Sequence, residues 1–365
     1  MKLIRVVLPI VLVLVWQAPA SAQPELKPIL EAASKEYAQA GMGAVTIIDG
    51  QIGEPQTVGT IGKGLDTPVP TDARWHLGSC SKSMTAMLAA VMVEQGKLRW
   101  DMPVSEALAG SDVEIHPDFQ QATIEQLLGH RAGLAKKMVG RPIWGTLRRD
   151  GLTPVQQRHL ITKTYLSEEP VTPPGTAFEY TNVGYVIVGH IIELIEDKPY
   201  EELMPELIFE PLGLASAGFG PPKGEDQPRG HKMNIPMPPA HPGADNPEGL
   251  APAGRIHMSL QDWARYAQTH LRAARGESFE LLTEASYQKL HTPLAGQGYA
   301  MGWICAERKW ANGQALTHAG SNTLWRCTIW IAPGKNAAMM VTTNHGSDSA
   351  KAAGQDVLKA MIDRL

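Results

Sequence analysis

The sequence has few cysteines, no run of basic residues and no long apolar run beyond its N-terminus. Three cysteines among 365 residues leave room for at most one disulfide. A formal net charge of −4 without a basic run argues against nucleic acid as a partner. No apolar run after the N-terminus reaches membrane-spanning length, so nothing indicates an integral membrane protein. The 12 histidines show no metalloprotease spacing, so no metal site is predicted.

The N-terminus predicts a secretory signal peptide of residues 1–22. Lys2 and Arg5 precede the apolar run Val6–Trp16, and Ala20–Ala22 offers a small-residue cleavage site. An uncleaved signal anchor is the alternative, but the apolar part is short for a membrane span. Cleavage would leave 343 of the 365 residues and, by removing two positive charges, change the net charge from −4 to −6. We therefore expect a secreted protein, periplasmic or extracellular.

Strand and helix patterns at both ends of the chain predict one α+β domain over residues 23–365. Ala44–Ile48 is a β-branched run followed by the hairpin turn Asp49–Gly50, and the strands Thr328–Ile331 and Ala338–Thr343 flank a second turn near the C-terminus. We expect one antiparallel sheet built from both chain ends and flanked by the terminal helices. The sheet lobe would comprise about 23–99 and 291–365, and an inserted, mainly helical lobe about 100–290.

The pair Ser79 and Lys82 is the first candidate for chemistry. Apolar residues at helical spacing follow it until Gly96, so both side chains would share a face on the first turn of a helix. There the lysine can act as base for the serine, and free backbone N–H groups favour an oxyanion. Taken by itself, a Ser-x-x-Lys spacing is more often an ordinary solvated first turn.

Two further short motifs indicate a catalytic site only weakly when each is taken alone. Tyr180 and Asn182 precede a helical pattern; a tyrosine near a lysine can have a lowered pKa and relay a proton, and an asparagine can orient lysine and substrate. His318 and Gly320 end a strand-like segment, where the N–H of Ser321 could be a second oxyanion donor. The alternatives are a buried tyrosine with a helix-capping asparagine, and a surface turn with an incidental histidine.

The three motifs occur in this order, 101 and then 138 residues apart, and together they resemble the serine β-lactamase and penicillin-binding-protein family. The resemblance is to its class C-like branch, which includes D-alanyl-D-alanine carboxypeptidases, D-amino-acid amidases and carboxylesterases as well as β-lactamases. It covers nearly all of the mature chain. Further stretches that resemble the family are Leu77–Leu98, Leu127–Leu134, Pro174–Gly213, Ala253–Ala264 and Tyr299–Trp303.

This resemblance implies a β-lactamase/transpeptidase-like fold and an acyl-enzyme on Ser79, with no cofactor. Lys82 and Tyr180 would share the role of base, Asn182 would orient, and His318 stands where other members have Lys or His. Gly320 would lie beside the substrate. The N–H groups of Ser79 and Ser321 would form the oxyanion hole.

The third motif departs from the family pattern. A histidine in place of lysine at 318 lowers the expectation of an efficient β-lactamase, and Ala319 lacks the usual hydroxyl that would bind a substrate carboxylate. The segment after Gly320 is bulkier than in the family. These changes lie at the mouth of the pocket, so they concern the substrate more than the acyl-transfer chemistry.

The main hypothesis is an exported serine hydrolase of small amides or esters, either D-alanyl-D-alanine carboxypeptidase-like or carboxylesterase-like, with β-lactamase as an alternative. Its partner would be a small molecule or a peptide, for which a peptidoglycan stem peptide is the conventional candidate. A hypothesis of another class is a catalytically silent protein that binds a cell-wall fragment or a partner. A resemblance of fold alone ranks lowest. The oligomeric state is not indicated.

Two features leave alternatives open. Cys305 and Cys327 both lie in strand-like sequence and could form a disulfide. If their strands are the outer two of a simple three-strand meander, they would be too far apart. Cys80 is expected to be a small buried residue rather than a second nucleophile.

The segment 221–252 has nine prolines in 32 residues, which excludes regular helix and central strand. It is either a lid or a disordered rim of the cleft.

Overall fold

The computed structural model describes residues 23–136, 138–149, 151–294 and 298–365. The predicted signal peptide, residues 1–22, lies outside them. The main sheet is antiparallel and has the order β2-β1-β12-β11-β10-β9, with β3 also paired to β1. The strands are β1 Gly41–Ile48, β2 Gln51–Ile52, β3 Gln56–Gly59, β4 Arg74–His76, β5 Gly218–Phe219, β6 His231–Lys232, β7 Ile235–Pro236, β8 Ile256–Ser259, β9 Ile304–Arg308, β10 Gly313–Ser321, β11 Arg326–Ala332 and β12 Ala337–Thr343.

The helices of the described residues belong mostly to the middle of the chain. None of them combines the length and apolar composition that crossing a membrane requires. They are α1 Lys27–Glu36, α2 Ser81–Glu94, α3 Val104–Ala107, α4 Ile124–Leu128, α5 Pro142–Leu147, α6 Pro154–Leu166, α7 Val183–Glu196, α8 Tyr200–Met204, α9 Ala251–Gly254, α10 Leu260–Ala274, α11 Glu284–His291 and α12 Asp348–Ile362.

The sheet joins the two chain ends, as the sequence predicted. β1 pairs with β12 so that Val45 lies opposite Met340, and the hairpin turn at Asp49–Gly50 connects β1 to β2. The terminal helices α1 and α12 cover one face of the sheet, where Leu30 and Val357 pack in one apolar cluster. Both ends of the chain supply strands and a covering helix. The sheet is therefore complete only when the N-terminal and C-terminal strands pair. The predicted α+β fold is confirmed.

Helix α2 runs through the middle of the molecule. Its residues from Ser81 to Met92 are all buried, which is the environment of a helix that is apolar on every side. The helix ends near Gly96, whose φ of +69° is one that glycine adopts without strain. The N-terminal end of α2 therefore meets the sheet on one side and the helical elements on the other.

The cysteines are free thiols, and the meander explains why Cys305 and Cys327 do not pair. They lie on β9 and β11, the two strands on either side of β10. Cys327 instead has its Sγ 3.6 Å from the Sγ of Cys80, which is buried as expected. The proline-rich segment contains the short hairpin of β6 and β7 and the buried residue Asp245.

Candidate active site

Ser79 lies in a tight turn directly before α2 rather than on its first α-helical turn. The turn, Gly78–Cys80, is a 3-10 helix. Gly78 has a φ of +48°, and a Cβ at this position would lie 2.4 Å from the backbone nitrogen of Ser321. Only glycine fits both constraints. The turn thereby brings Ser79 against the end of β10, while its side chain stays partly accessible.

Lys82 is completely buried and its ammonium faces the Ser79 hydroxyl. The Nζ lies 3.1 Å from Ser79 Oγ, 2.8 Å from Asn182 Oδ1 and 2.7 Å from the carbonyl oxygen of Ala253. Burial lowers the pKa of Lys82 to about 7, because the charged form loses its hydration. A substantial fraction of Lys82 is therefore neutral near pH 7 and able to accept the Ser79 proton.

Tyr180 stands on the other side of Ser79. Burial of its hydroxyl raises the pKa of Tyr180 well above the usual value, and a hydrogen bond with Ser79 offsets this only in part. The pKa of Tyr180 is therefore raised, although a tyrosine near a lysine can have a lowered one. The phenol stays protonated, with the Lys82 Nζ 5.0 Å from its ring centre. This arrangement suits a relay of a proton better than a phenolate base.

Asn182 is the residue directly before α7, so the start of this helix fixes its position. Its side-chain oxygen accepts a hydrogen bond from Lys82 rather than capping the helix. The alternative of a helix-capping asparagine therefore does not apply. The structure brings Ser79, Lys82, Tyr180 and Asn182 into one cluster.

The third motif forms the sheet side of the cluster. His318 lies on β10 and is buried; its Nδ1 faces the Ala319 carbonyl oxygen at 2.9 Å and its Nε2 faces the Tyr299 hydroxyl at 3.2 Å. Burial, followed by the charge of Lys82, lowers the pKa of His318 to about 3, so the ring is neutral. Among the described hydrogen bonds none joins His318 to Ser79.

Gly320 and Ser321 end β10 beside the Ser79 turn. A Cβ at Gly320 would lie 1.9 Å from the carbonyl oxygen of Leu77, so this strand end can approach the turn only without a side chain. The close approach places the backbone nitrogen of Ser321 next to the Gly78–Ser79 peptide. Ser79 and Ser321, whose N–H groups are the predicted oxyanion donors, line the same cavity.

A cavity of about 600 Å³ opens over Ser79, and its described lining is largely apolar. Tyr299 and Ile304, which pair in an isolated β-bridge, line it together with Ala319 of β10. No side chain of the described lining is a permanent cation. The lining residues are Ser79, Phe178, Tyr180, Gly298, Tyr299, Ile304, His318, Ala319 and Ser321.

Sequence reasoning missed three groups near the nucleophile. The Ala253 carbonyl accepts from Lys82, but a backbone carbonyl leaves no side-chain signal. His130 packs with its ring centre 4.3 Å from that of Tyr180, and Tyr299 meets His318. Both lie in stretches that resemble the family, which was the available signal. Within the described ranges, no group of three or more His, Cys, Asp or Glu residues has the arrangement to hold a metal ion.

Comparisons with known proteins show the family of the chain. A family model described as beta-lactamase matches residues 26–361. Penicillin-binding protein 4 of Amycolatopsis lactamdurans is 25% identical over 333 residues, which cover 87% of this chain and 84% of the relative. The unguisins hydrolase ungD' of Aspergillus campestris is 25% identical over 345 residues, covering 88% of this chain and 61% of that longer protein.

Solved structures show the same fold. The octameric penicillin-binding protein homologue from Pyrococcus abyssi superposes with a TM-score of 0.75 at 23% identity, covering 93% of this chain and 77% of that chain. A D-stereospecific amidohydrolase from Streptomyces sp. gives a TM-score of 0.69 at 19% identity and covers 92% of this chain and 98% of that chain.

Proposed function

Because the chain belongs to the β-lactamase family, we propose that it is a serine hydrolase that forms an acyl-enzyme on Ser79 with small esters or amides. One observation carries the proposal: the Lys82 Nζ lies 3.1 Å from Ser79 Oγ in a buried site that lowers the lysine pKa to about 7. A nucleophile within hydrogen-bond distance of a base that is partly neutral at working pH is the arrangement that covalent catalysis requires.

The proposed reaction has two halves. In the first, neutral Lys82 accepts the proton of Ser79, the serine oxygen bonds to the substrate carbonyl carbon, and the N–H groups of Ser79 and Ser321 stabilise the oxyanion. As the bond to the leaving group breaks, Tyr180 gives its phenol proton to the departing oxygen or nitrogen and takes a proton from Lys82, which becomes neutral again. In the second half, a water molecule gives a proton to Lys82 as its oxygen bonds to the acyl carbon. The bond from that carbon to Ser79 Oγ then breaks, Lys82 returns the proton to the serine oxygen, and the carboxylic acid leaves.

The cavity favours a neutral substrate with an apolar group. Phe178 and Ile304 supply apolar surface, Ala319 offers no hydroxyl, and His318 is uncharged. A substrate carboxylate placed here would lose its hydration without gaining a charged partner from the described lining. We therefore favour a carboxylesterase-like substrate over a C-terminal carboxylate of a peptide.

Hydrolysis of a D-amino-acid peptide is the second candidate. It is supported by the similarity to a penicillin-binding protein over most of both chains and by the shared fold of the D-stereospecific amidohydrolase. Export by the predicted signal peptide would place the enzyme where peptidoglycan stem peptides occur. N-terminal sequencing of the secreted protein tests the export, which predicts Gln23 as the first residue.

Intact mass spectrometry after incubation with a fluorophosphonate and, separately, a fluorescent penicillin tests the nucleophile. We expect an adduct on the wild type and none on Ser79→Ala. Ser83→Ala is a matched control, because this serine lies one turn further along the chain, on α2, and its hydroxyl donates to the Cys80 carbonyl. An adduct on Ser79→Ala would overturn the proposal, and no adduct on any form would favour the binding-only hypothesis. Penicillin labelling would favour the peptidase candidate.

A further inference from the structure

A buried carboxylate from the proline-rich segment hydrogen-bonds to His76 and Asn322, which lie close in sequence to the two predicted oxyanion donors. Asp245 is 6% exposed. Its Oδ2 lies 2.9 Å from His76 Nε2 and 3.1 Å from Arg255 Nε, and its Oδ1 accepts from Asn322 Nδ2 at 2.8 Å. The backbone N–H of Asn246 also donates to Oδ1, at 2.8 Å. One carboxylate therefore joins three segments that are distant in sequence.

The first of these links leads to the nucleophile. The N–H of Gly78 donates to His76 Nδ1 at 3.1 Å, so Nδ1 carries no proton and Nε2–H points at Asp245. The hydrogen bonds thus continue from Asp245 through the imidazole to the residue directly before Ser79. Since Gly78 adopts a positive φ, this bond helps to hold the turn that carries Ser79.

The second link leads to the other oxyanion donor. Asn322 follows Ser321 directly, and its side-chain oxygen accepts the N–H groups of Leu324 and Trp325, each at 3.1 Å. The amide is therefore fixed at both ends, with its nitrogen on Asp245. This fixes the backbone that continues from the Ser321 N–H.

The third link leads toward the base. Arg255 lies two residues after Ala253, whose carbonyl accepts from Lys82. Burial by itself would raise the pKa of the Asp245 carboxyl, but the adjacent His76 and Arg255 and the hydrogen bond from Asn322 outweigh it and lower the pKa to about 2. The carboxylate keeps its charge throughout the pH range of interest, so all these donors retain their acceptor.

We propose that Asp245 is a positioning residue that fixes the spacing of the two oxyanion donors, the N–H groups of Ser79 and Ser321. The proposal rests on the proposed hydrolase function. It assigns the proline-rich segment a role as a buried anchor behind the site. Proline suits this role because its fixed φ reduces the freedom of the chain that carries Asp245.

Asp245→Asn tests the proposal with little change in shape. An amide has one acceptor oxygen, so its NH2 group must face either Asn322 or the pair His76 and Arg255, all of which are donors. We expect kcat for a neutral 4-nitrophenyl ester to fall roughly 10- to 100-fold, because small displacements of oxyanion donors are costly in the transition state. KM should change less than threefold, because the cavity lining remains.

A second variant tests the link directly. Adding Asn322→Asp to Asp245→Asn restores a donor–acceptor pair, because the new amide nitrogen can donate to the new carboxylate while its oxygen accepts from His76 and Arg255. Recovery of at least a third of the lost kcat is the expected result. No recovery despite a native thermal melt would overturn the proposed link.

The matched control is Glu193→Gln, which neutralises another buried carboxylate, 4% exposed and hydrogen-bonded to Arg158. It should lower the melting temperature but leave kcat unchanged. If Asp245→Asn retains the wild-type kcat, or if Glu193→Gln reduces it equally, Asp245 has only a structural role. A wild type that neither hydrolyses the ester nor reacts with the fluorophosphonate would instead refute the hydrolase function itself, so the labelling of the wild type distinguishes the two failures.

Discussion

Two buried cations in this protein have opposite surroundings. The side chains of Lys82 and Arg158 are both fully buried. Arg158 is held by two carboxylates, with its Nε 3.0 Å from Glu193 and an NH2 nitrogen 2.7 Å from Glu201. Lys82 has three uncharged acceptors and, among the described residues, no carboxylate partner.

This difference sets the two charges apart. Burial acts against the charge of Arg158, but its carboxylates outweigh burial and raise the pKa above the usual value, whereas burial lowers the pKa of Lys82 to about 7. Arg158 connects α6 to α7 and α8 as a permanent ion. Lys82 can release and accept a proton. The fold therefore stabilises the charge of Arg158, which joins helices, and destabilises the charge of Lys82, where proton transfer is proposed.

Replacing Lys82 with methionine should produce the largest effect on activity. Lys82→Met removes the base, so we expect kcat/KM to fall by roughly 10⁴-fold, the upper end of the range for general base catalysis. The melting temperature should stay the same or rise, because the buried amine has no carboxylate to lose. Ester kinetics and calorimetry check both parts. A large loss of stability would show that Lys82 is structural, like Arg158.

Replacing Arg158 with methionine should give the reverse result. Arg158→Met leaves Glu193 buried without its cation, and we expect unfolding to become easier by roughly 3–5 kcal/mol. Turnover per folded molecule should be unchanged. Chemical denaturation measures the first effect and active-site titration with kinetics the second.

The matched control for that variant is Lys163→Met on the same helix. Lys163 pairs with Asp112 in an exposed ion pair, with 47% and 67% of the side chains exposed, so its loss should change the free energy of unfolding by less than about 0.5 kcal/mol. Equal losses from both substitutions would mean that burial of the Arg158 pair does not matter.

The pH dependence tests the same contrast with a smaller effect. Since Lys82 must be neutral to accept a proton and burial lowers its pKa to about 7, kcat/KM should rise about tenfold per pH unit below pH 7 and level off above it. His318, with a pKa of about 3, adds no step near neutrality. Tyr180, with its raised pKa, adds none up to about pH 10. A flat profile between pH 5 and 9 would exclude Lys82 as the base.

Stability should follow the same titration. In the unfolded chain Lys82 would bind its proton up to the usual lysine pKa, while the folded protein loses it near pH 7. The unfolded state therefore holds more protons between these values, and the contribution of Lys82 to stability rises with pH over that window. The difference in unfolding free energy between wild type and Lys82→Met should shift in this direction from pH 7 to pH 9. The Arg158 variant should not show it.

The sequence predicted the two hairpins of the sheet because neighbouring residues determine where a hairpin turns. The β-branched run before Asp49–Gly50 and the second turn near the C-terminus each specify a hairpin, and the close pairing of both ends follows once their apolar faces need a common partner. The Ser79 and Lys82 spacing likewise survives folding, although the serine lies in a 3-10 turn. Neighbouring residues are enough for such features.

Burial and long-range contacts could not be read in this way. The pKa of Tyr180 depends on how much water the fold excludes from its hydroxyl, which no tripeptide reveals. Asp245 is 169 positions from His76 and 77 from Asn322, and the Ala253 carbonyl has no side-chain signature. These groups are defined by where the chain returns to the site, so only the folded structure identifies them.

The smallest expected effect concerns Tyr299 and separates support from chemistry within the site itself. Its hydroxyl lies 3.2 Å from His318 Nε2, and because Nδ1–H faces the Ala319 carbonyl, Nε2 is the acceptor. Tyr299→Phe should cost about 1 kcal/mol of stability and reduce kcat less than threefold, since the Nδ1 bond still orients the ring. Tyr287→Phe, which removes a hydroxyl bonded to the Glu280 carbonyl at 2.6 Å, is the control for stability alone. If Tyr299→Phe instead lost tenfold or more of its kcat while the control kept its kcat, Tyr299 and His318 would take part in proton transfer. The neutral state of Lys82, in contrast with the charged Arg158, would then no longer account for the catalysis by itself.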